Sequence, residues 1–265
     1  MRMTGHFRLL LRRLMPRTIR QQRIMGGPLR GLRIVTSWHD YPAAILGYTE
    51  TQLLAWFETN VRPGQTWLDV GAHYGYTAIG LSRLVGRSGR VFAFEPMVST
   101  AGYLAQTRLL NRFPQLTVLP LALAAPEDVA LRQLPTVRGM VDSTIEEREW
   151  SETILAARLD WLWPRVSDGR ERIDGIKIDV QGMEIGVLQG MSDSLKAFTP
   201  KLVVEVHRGV ARNHLLDLVE SLGYSRRGVP IEPGKGEIDP RYLDNRSYAF
   251  QAIQRDSHEV MSKRI

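Results

Sequence analysis

The chain has 265 residues, and 43% of them are hydrophobic, which is enough for one large α/β domain with a substantial core. It has no cysteine, so disulfides, thiolate metal sites and a cysteine nucleophile are excluded. No apolar run approaches the ~20 residues that a membrane-spanning helix needs. We therefore expect a soluble protein, and the absence of cysteine is compatible with the reducing cytoplasm.

The net charge of +7 is unevenly distributed along the chain. Residues 1–38 carry nine arginines and no acidic residue, which leaves the rest of the chain close to neutral. A near-neutral body argues against a nucleic-acid substrate. Within the basic segment, an apolar helical stripe indicates possible peripheral contact with an anionic membrane or a partner, although ten residues are short for an independent helix. The stripe consists of Phe7, Leu10, Leu11 and Leu14.

Short apolar segments alternate with helical ones along most of the chain, which favours a parallel sheet buried on both faces. The first helix, over 50–60, begins with what resembles a capping box of Thr49 and Gln52. The predicted strands are 66–71, 90–95, 116–121, 129–134, 153–158, 173–180, 201–207 and 248–251. The other predicted helices are 75–85, 98–111, 183–196 and 210–221.

The segment Trp67–Gly75 is an apolar run that reaches an acid and then two glycines four residues apart. Glycine tolerates positive φ and close backbone approach, so this pattern predicts a sharp turn from a strand into a helix whose first amides face a ligand. A second apolar strand ends at Glu95, 26 residues after Asp69. This separation suits one βαβ unit, in which Glu95 accepts hydrogen bonds from ribose hydroxyls.

The glycine spacing discriminates between two classes of cofactor. Nicotinamide dinucleotides are bound by G-x-G-x-x-G, whose middle glycine admits the pyrophosphate. This chain has G-x-x-x-G, and the Cβ of His73 would crowd that approach. The pattern therefore favours S-adenosyl-L-methionine over a dinucleotide, while an ordinary strand–loop–helix joint remains the alternative without a ligand.

Polar side chains also end two later strands of the predicted sheet. Asp179 follows one strand, and Glu205 and His207 end the next. Because the carboxyl ends of parallel strands converge on one crevice, we expect these groups to lie near Glu95. Each of them alone has a structural alternative, since a polar residue commonly ends a strand and a lone histidine is often a hydrogen-bonding partner.

Together these motifs resemble the FkbM family of S-adenosylmethionine-dependent methyltransferases over about residues 45–210. The resemblance implies a class I methyltransferase (Rossmann-like) fold: a doubly wound, mostly parallel seven-stranded sheet with an antiparallel last strand. It also implies O-methylation of a sugar, glycan, glycolipid or natural product. The matching segments are Leu46–Glu50, Asp69–Gly75, Phe94–Pro96, Leu159–Asp160, Ile176–Glu184 and Val204–His207. We expect a basic arm and hinge at 1–45, the methyltransferase domain at 46–256 and a C-terminal tail at 257–265.

The resemblance also assigns the cofactor-binding positions. Residues at the turn would line the methionine part of the cofactor, and Glu95, with Pro96 after it, would hold the ribose. The residues implied at the turn are Asp69, Gly71, Ala72, His73 and Gly75. The family usually has asparagine at position 73, so we expect a different contact there. Related enzymes often place an acid at the adenine position, but this chain has Leu121-Ala122-Leu123, so adenine would depend on amides near Ala122 or on Asp142 or Ser143.

A sugar hydroxyl is a poor nucleophile until its proton is removed. Asp179 and His207 are the candidate proton acceptors, and Glu205 would orient His207 or the acceptor. Alternatively, these three side chains bind a divalent cation such as Mg²⁺. Lys177 and Glu184 are expected to be structural partners. Two other functions stay open: an NAD-dependent sugar oxidoreductase or epimerase, and a non-catalytic interaction module.

Overall fold

The computed structural model describes residues 15–124, 127–137, 140–141, 150–167, 169, 172–234, 237 and 240–253. At its centre is a seven-stranded sheet. The strands are β3 (Thr66–Val70), β4 (Arg90–Phe94), β5 (Leu116–Leu119), β10 (Gly175–Ile178), β11 (Lys201–Val206), β12 (Val229–Pro230) and β13 (Arg246–Phe250). Their order in the sheet is β12-β13-β11-β10-β3-β4-β5.

The sheet is parallel from β5 to β11, and β13 runs antiparallel to both of its neighbours. Consequently β13 runs opposite to the other six strands. This topology confirms the predicted class I methyltransferase fold, a mostly parallel seven-stranded sheet with an antiparallel last strand. In the parallel part, the order β5-β4-β3-β10-β11 reverses between β3 and β10, which makes the sheet doubly wound.

Helices cover both faces of the sheet. Alternation along β3 shows how the two faces are filled: Leu68 and Val70 belong to one apolar cluster, and Trp67 belongs to the other. Burial on both faces explains why these strands read as apolar runs without alternation. The helices are α1 (Pro42–Leu46), α2 (Thr51–Asn60), α3 (Tyr76–Val85), α4 (Val98–Asn111), α5 (Leu159–Val166), α6 (Glu184–Gln189), α7 (Ser192–Phe198) and α8 (Arg212–Ser221).

Two predictions about the helices are wrong: the capping box, and the single helix over 183–196. Helix α2 forms as predicted, but without the capping box: Glu50 is its N-cap residue, with a left-handed backbone (φ 52°) and no side-chain cap. The predicted helix 183–196 is two helices, α6 and α7. The second one has its own cap, because the Asp160 carboxylate accepts hydrogen bonds from the backbone amides of Asp193 and Ser194 at 3.0 and 2.9 Å.

The N-terminal part of the described chain is a two-stranded antiparallel sheet of β1 (Arg20–Arg23) and β2 (Arg33–Thr36). Strand β2 is joined to α4 by hydrogen bonds, including one from the Val35 amide to Thr107 Oγ1 at 2.9 Å. Ile24 and Leu29 from the connection are buried in the core. The domain boundary at residue 46 stays a prediction, and all four residues of the apolar helical stripe lie outside the described residues.

A second, four-stranded sheet has the order β6-β9-β7-β8 and lies between β5 and α5 in the chain. It confirms the strands predicted near 129–134 and 153–158. Its strands are β6 (Ala122–Leu123), β7 (Val129–Val137), β8 (Met140–Val141) and β9 (Trp150–Ala157).

Among the helices of the described residues, none is long and apolar enough to cross a membrane.

Candidate functional site

The strand order reverses between β3 and β10, and this is the point at which doubly wound sheets bind ligands. The glycine turn follows β3, and Asp179 follows β10. The two segments are in direct contact, since the Asp179 amide donates a hydrogen bond to the Val70 carbonyl at 3.0 Å. The predicted cofactor turn and the predicted acceptor groups therefore lie side by side at one edge of the sheet.

The glycine turn has left-handed backbone at three positions: Gly71 (φ 80°), His73 (φ 50°) and Gly75 (φ 89°). Both glycines are also tightly packed. A Cβ on Gly71 would lie 1.8 Å from the Asp179 carbonyl oxygen, and a Cβ on Gly75 would lie 2.0 Å from Leu104 Cδ1. Any larger residue would push the turn away from β10 or from α4. The chain therefore needs glycine at both positions.

Glu95 lies directly below this turn and is 6% exposed. Its carboxylate accepts hydrogen bonds from the amides of His73 at 2.8 Å and Met97 at 3.1 Å. Burial raises the pKa of Glu95 to about 7, although both hydrogen bonds act in the opposite direction. Two amide donors leave about two of the four lone-pair sites of a carboxylate free, so Glu95 can still accept from two hydroxyl groups. These two free acceptor sites fit the two hydroxyl groups of a ribose.

Asp69 has a different environment from the one predicted. Its side chain is completely buried, accepts a hydrogen bond from Thr77 Oγ1 at 2.6 Å and forms an ion pair with Lys177 Nζ at 3.1 Å. Asp69 therefore lies beneath the turn, and its predicted contact with the methionine part of the cofactor stays a prediction. The backbone amides of Gly71 and Ala72 both donate to the Phe94 carbonyl at 3.0 Å, which ties the turn to β4.

Lys177 connects the turn to the acceptor side. Its ammonium group lies 3.1 Å from Asp69 Oδ1, 3.3 Å from Asp179 Oδ2 and 3.1 Å from the Gly71 carbonyl oxygen. Burial disfavours the charged ammonium, but the carboxylates of Asp69 and Asp179 outweigh it and raise the pKa of Lys177 above its usual value. The lysine thus stays charged inside the protein and fixes the end of β10 against the turn.

On the acceptor side, the structure brings Asp179, Glu205 and His207 together. One ligand-type atom from each lies within 4.8 Å of the others. His207 Nε2 is 3.4 Å from Asp179 Oδ1 and 3.5 Å from Glu205 Oε1. The two carboxylates remain partly accessible, with 24% of the Asp179 side chain and 17% of the Glu205 side chain exposed. We call these three residues the acceptor cluster.

Glu184 orients the imidazole of this cluster. Its completely buried carboxylate lies 2.6 Å from His207 Nδ1 and also accepts a hydrogen bond from the Gly182 amide at 3.1 Å. Because Nδ1 is hydrogen-bonded to this carboxylate, Nε2 is the ring nitrogen that faces Asp179 and Glu205.

The pKa values in the acceptor cluster are shifted upward. Burial and the neighbouring charge of Asp179 raise the pKa of Glu205 to about 7. Burial disfavours the charged imidazole of His207, but its hydrogen bond to Glu184 and the carboxylates of Asp179 and Glu205 raise its pKa overall. Both shifts favour the protonated form, so the cluster binds protons more tightly than the isolated side chains would.

Sequence reasoning did not anticipate the shifted pKa of Glu50. Burial raises the pKa of Glu50; the charge of Lys177 acts against this shift, and that of Asp179 adds to it. Glu50 therefore lies in the field of the groups at the end of β10. In the sequence, Glu50 is an acid immediately before α2, and we interpreted the adjacent Thr49 and Gln52 as a capping box instead. Lys177 and Glu184 were expected to be structural partners, and each pairs with a site residue.

The adenine-binding predictions have different outcomes. Ala122 is buried in β6 and belongs to the same small apolar cluster as Met97, which comes two residues after Glu95. Ala122 therefore lies on the side of the site that the ribose prediction requires. Pro96 is partly buried between Glu95 and Met97. Ser143 and Asp142 lie outside the described residues, and their roles stay predictions.

The doubly wound sheet with an antiparallel last strand, the glycine turn and the acid ending β4 define a class I S-adenosylmethionine-dependent methyltransferase. The model of one family, the methyltransferase FkbM domain, matches residues 69–226, more than half of the chain. The chain belongs to this family. The match includes the glycine turn, Glu95 and the whole acceptor cluster.

Several solved structures are similar in fold. Methyltransferase FkbM from Methylobacillus flagellatus is 17% identical over 74% of this chain and 50% of that one, with a TM-score of 0.46. Fibrillarin from Aeropyrum pernix, with natively bound S-adenosyl-L-methionine, is 14% identical over 86% and 84%, with a TM-score of 0.48. A SAM-dependent O-methyltransferase from Thermotoga maritima is 13% identical over 84% and 74%, with a TM-score of 0.46. No curated protein sequence is significantly similar to the chain.

Proposed function

We propose that this methyltransferase is an O-methyltransferase that acts on a hydroxyl group of a sugar, glycan, glycolipid or natural product. The observation that carries the proposal is the position of the acceptor cluster. Two partly exposed carboxylates and an oriented imidazole lie within 4.8 Å of one another, beside the turn that follows β3. These groups hydrogen-bond to hydroxyl groups and accept protons from them, which is what an O-methyltransferase needs at its acceptor.

S-adenosyl-L-methionine supplies an electrophilic methyl group on a sulfonium. We assign its binding to the glycine turn, where Gly71, Ala72, His73 and Gly75 would line the methionine part. Glu95 would accept hydrogen bonds from the ribose hydroxyls, beside Pro96. The adenine would lie near Ala122, with Ser143 as a further donor. The free acceptor positions on Glu95 suit the ribose of either cofactor, and the absence of a middle glycine supports S-adenosyl-L-methionine over a dinucleotide.

The acceptor hydroxyl must lie in line with the breaking carbon–sulfur bond. Such alignment supplies much of the rate, because well-oriented intramolecular reactions reach effective molarities of roughly 10⁵–10⁸ M. Asp179 and Gly71 are in contact, so a hydroxyl group held by Asp179 would lie next to the turn that holds the cofactor.

Two routes for removing the hydroxyl proton use the same side chains. In the first, Asp179 or Nε2 of His207 accepts the proton, and Glu205 orients His207 or the acceptor. In the second, the three side chains bind a divalent cation that polarises the hydroxyl group. If His207 is the proton acceptor, His207→Ala should lose most of its turnover with the true acceptor. If turnover stays near that of the wild type, the proton acceptor is Asp179 or another group.

Isothermal titration tests the cofactor, and isotope transfer tests the reaction. The protein is titrated with S-adenosylmethionine, S-adenosylhomocysteine and NAD, and then incubated with ¹³C-methyl-labelled S-adenosylmethionine and a panel of glycans and polyols. We expect both adenosyl compounds to bind, NAD not to bind, and the label to appear as a methyl ether by NMR and mass spectrometry. Label on nitrogen or carbon would overturn the proposed O-methylation.

The same titration separates the two rival functions. Binding of NAD instead of S-adenosylmethionine would support a nicotinamide-dependent sugar oxidoreductase or epimerase. A protein that binds neither ligand would be a non-catalytic module with a methyltransferase fold. The substitution Glu95→Gln serves as the matched control, since it removes the carboxylate that the ribose would contact and keeps the shape of the side chain.

A further inference from the structure

We propose that Asp179, Glu205 and His207 bind a divalent cation of the Mg²⁺ or Mn²⁺ class, and that this cation takes the hydroxyl oxygens of the acceptor as further ligands. The inference rests on the proposed function, because it concerns how the same site would recognise a polyol. It commits the acceptor cluster to the second of the two routes above.

The distances between the donor atoms fit a single ion. Oxygen ligands bind Mg²⁺ or Ca²⁺ at about 2.0–2.6 Å, so two ligands on opposite sides of one ion are at most about 4–5 Å apart. In the acceptor cluster, the three donor atoms all lie within 4.8 Å of one another. Two carboxylates with one imidazole are a donor set that suits hard divalent metals, and the imidazole favours Mn²⁺ over Mg²⁺. A cation therefore fits between the three side chains.

The imidazole is held in the orientation that a metal ligand requires. His207 is 4% exposed, and its Nδ1 donates to the buried Glu184 carboxylate at 2.6 Å. Nε2 is therefore the ring nitrogen left for a metal, which would take the place of any proton there, and it faces Asp179 and Glu205 at 3.4 and 3.5 Å. Metal-bound histidines commonly donate their second ring N–H to a carboxylate in this way, which fixes the tautomer and the ring. Glu184 is a positioning residue in this proposal.

The charge around the cluster also favours a cation. Lys177 is shared between Asp69 and Asp179, and Glu205 has no lysine or arginine as an ion-pair partner in the described part of the chain. A divalent cation would compensate this excess of negative charge.

Three protein ligands leave coordination positions for the acceptor, and Mg²⁺ and Mn²⁺ bind about six ligands. Neighbouring hydroxyl groups of a sugar can fill two of these positions, which predicts a preference for vicinal diols.

In the transfer, the acceptor oxygen forms a bond to the methyl carbon while the carbon–sulfur bond breaks and leaves its electron pair on sulfur. The hydroxyl proton passes to water, and the cation favours its loss.

Binding of Mn²⁺ to the full chain tests the site without any acceptor. After treatment with EDTA and dialysis, the protein is titrated with MnCl₂, and free Mn²⁺ is followed by electron paramagnetic resonance, with Mg²⁺ as competitor. We expect one site per chain. Its dissociation constant should rise at least tenfold in Asp179→Asn and in Glu205→Gln, and less in Glu184→Gln. The matched control, Glu220→Gln on the exposed face of α8, should bind Mn²⁺ like the wild type.

Circular dichroism and S-adenosylhomocysteine affinity verify that each variant is folded. If Asp179→Asn is unstable because Lys177 loses a partner, Glu205→Gln still tests the site. A wild-type protein that binds no Mn²⁺ overturns the cation site, and O-methylation that persists in excess EDTA then supports the direct proton acceptor. Mn²⁺ binding with the expected variant pattern supports the site even where the methylated atom proves not to be oxygen, which would overturn the proposed function alone.

Discussion

Gly71 lies directly against the main chain of Asp179, so close that a Cβ at position 71 would be 1.8 Å from the Asp179 carbonyl oxygen. This contact joins the turn proposed for the cofactor to the first residue of the acceptor cluster. A shift of the turn would therefore also move Asp179. The two halves of the proposed reaction are coupled through this backbone contact and through Lys177, which contacts both Gly71 and Asp179.

Gly71→Ala should destabilise the protein by roughly 2–6 kcal/mol. The left-handed backbone (φ 80°) contributes about 1–3 kcal/mol, and overpacking against Asp179 contributes about 1–3 kcal/mol more. Urea unfolding measures the loss. The matched control is Gly102→Ala on the exposed side of α4, where a Cβ would meet nothing within 4 Å. That control should gain about 0.5–1 kcal/mol from helix propensity. Equal stability of the two variants would contradict the close packing of the turn.

Lys177→Met should destabilise the protein by about 3–5 kcal/mol, because it leaves the buried carboxylate of Asp69 without its ion-pair partner. Urea unfolding again gives the free energy. The exposed Lys196 of α7 provides the control, and Lys196→Met should change stability by no more than about 0.5 kcal/mol. The double variant Lys177→Met/Asp69→Asn should recover part of the loss, since the uncompensated charge is removed. A double variant that is less stable by the full sum would argue against the pair.

Much of the fold was predictable from the sequence because it depends on local patterns. Runs such as the one ending at Val70 are apolar without alternation, which requires burial on both faces, and two glycines four apart predict a tight turn. The acids that end strands, among them Glu95 and Asp179, follow from the rule that ligands bind at the carboxyl ends of parallel strands. The same rule predicted that the members of the acceptor cluster lie close to one another.

Pairing between distant segments could not be predicted in the same way. Lys177 contacts Asp69 because β10 lies beside β3, and the register places these two residues opposite each other. Glu184 contacts His207 across a separation of 23 residues. No local pattern distinguishes such a lysine or glutamate from an ordinary structural partner. The capping box failed for a related reason: the backbone of Glu50 is left-handed, a conformation that the spacing of Thr49 and Gln52 does not reveal.

His73 occupies a left-handed position (φ 50°), which asparagine tolerates better than β-branched residues do. His73→Val should therefore be about 1–2 kcal/mol less stable than His73→Asn in urea unfolding. Both substitutions remove the imidazole, whose ring centroid lies 4.3 Å from that of Tyr74 and 5.3 Å from that of Tyr41, so neither variant keeps these ring contacts. Two variants of equal stability would mean that position 73 is not left-handed in solution.

The raised pKa of Glu95, about 7, predicts a pH-dependent affinity for the cofactor product. Ribose hydroxyls donate hydrogen bonds to the ionised carboxylate. The affinity for S-adenosylhomocysteine should therefore rise with pH, by up to about tenfold per unit below the pKa, and become constant above it. Titration calorimetry between about pH 5.5 and 8.5 measures this. Glu95→Gln should bind more weakly and without the slope. Glu205→Gln, at the other group with a pKa near 7, should keep the slope.

The same pKa shift has the opposite consequence for stability. The pKa of Glu95 is raised in the folded chain because burial disfavours the carboxylate, whereas the unfolded chain has the ordinary value of 4.5. Between these two values the folded state binds more protons, so the contribution of Glu95 to the free energy of unfolding falls as pH rises from about 4.5 to 7. The free energy of unfolding of Glu95→Gln, relative to the wild type, should therefore increase across this window. If the difference in free energy of unfolding between Glu95→Gln and the wild type does not change with pH, the Glu95 carboxyl group is hydrated in the folded protein. The raised pKa on which the pH-dependent ribose contact depends would then be wrong.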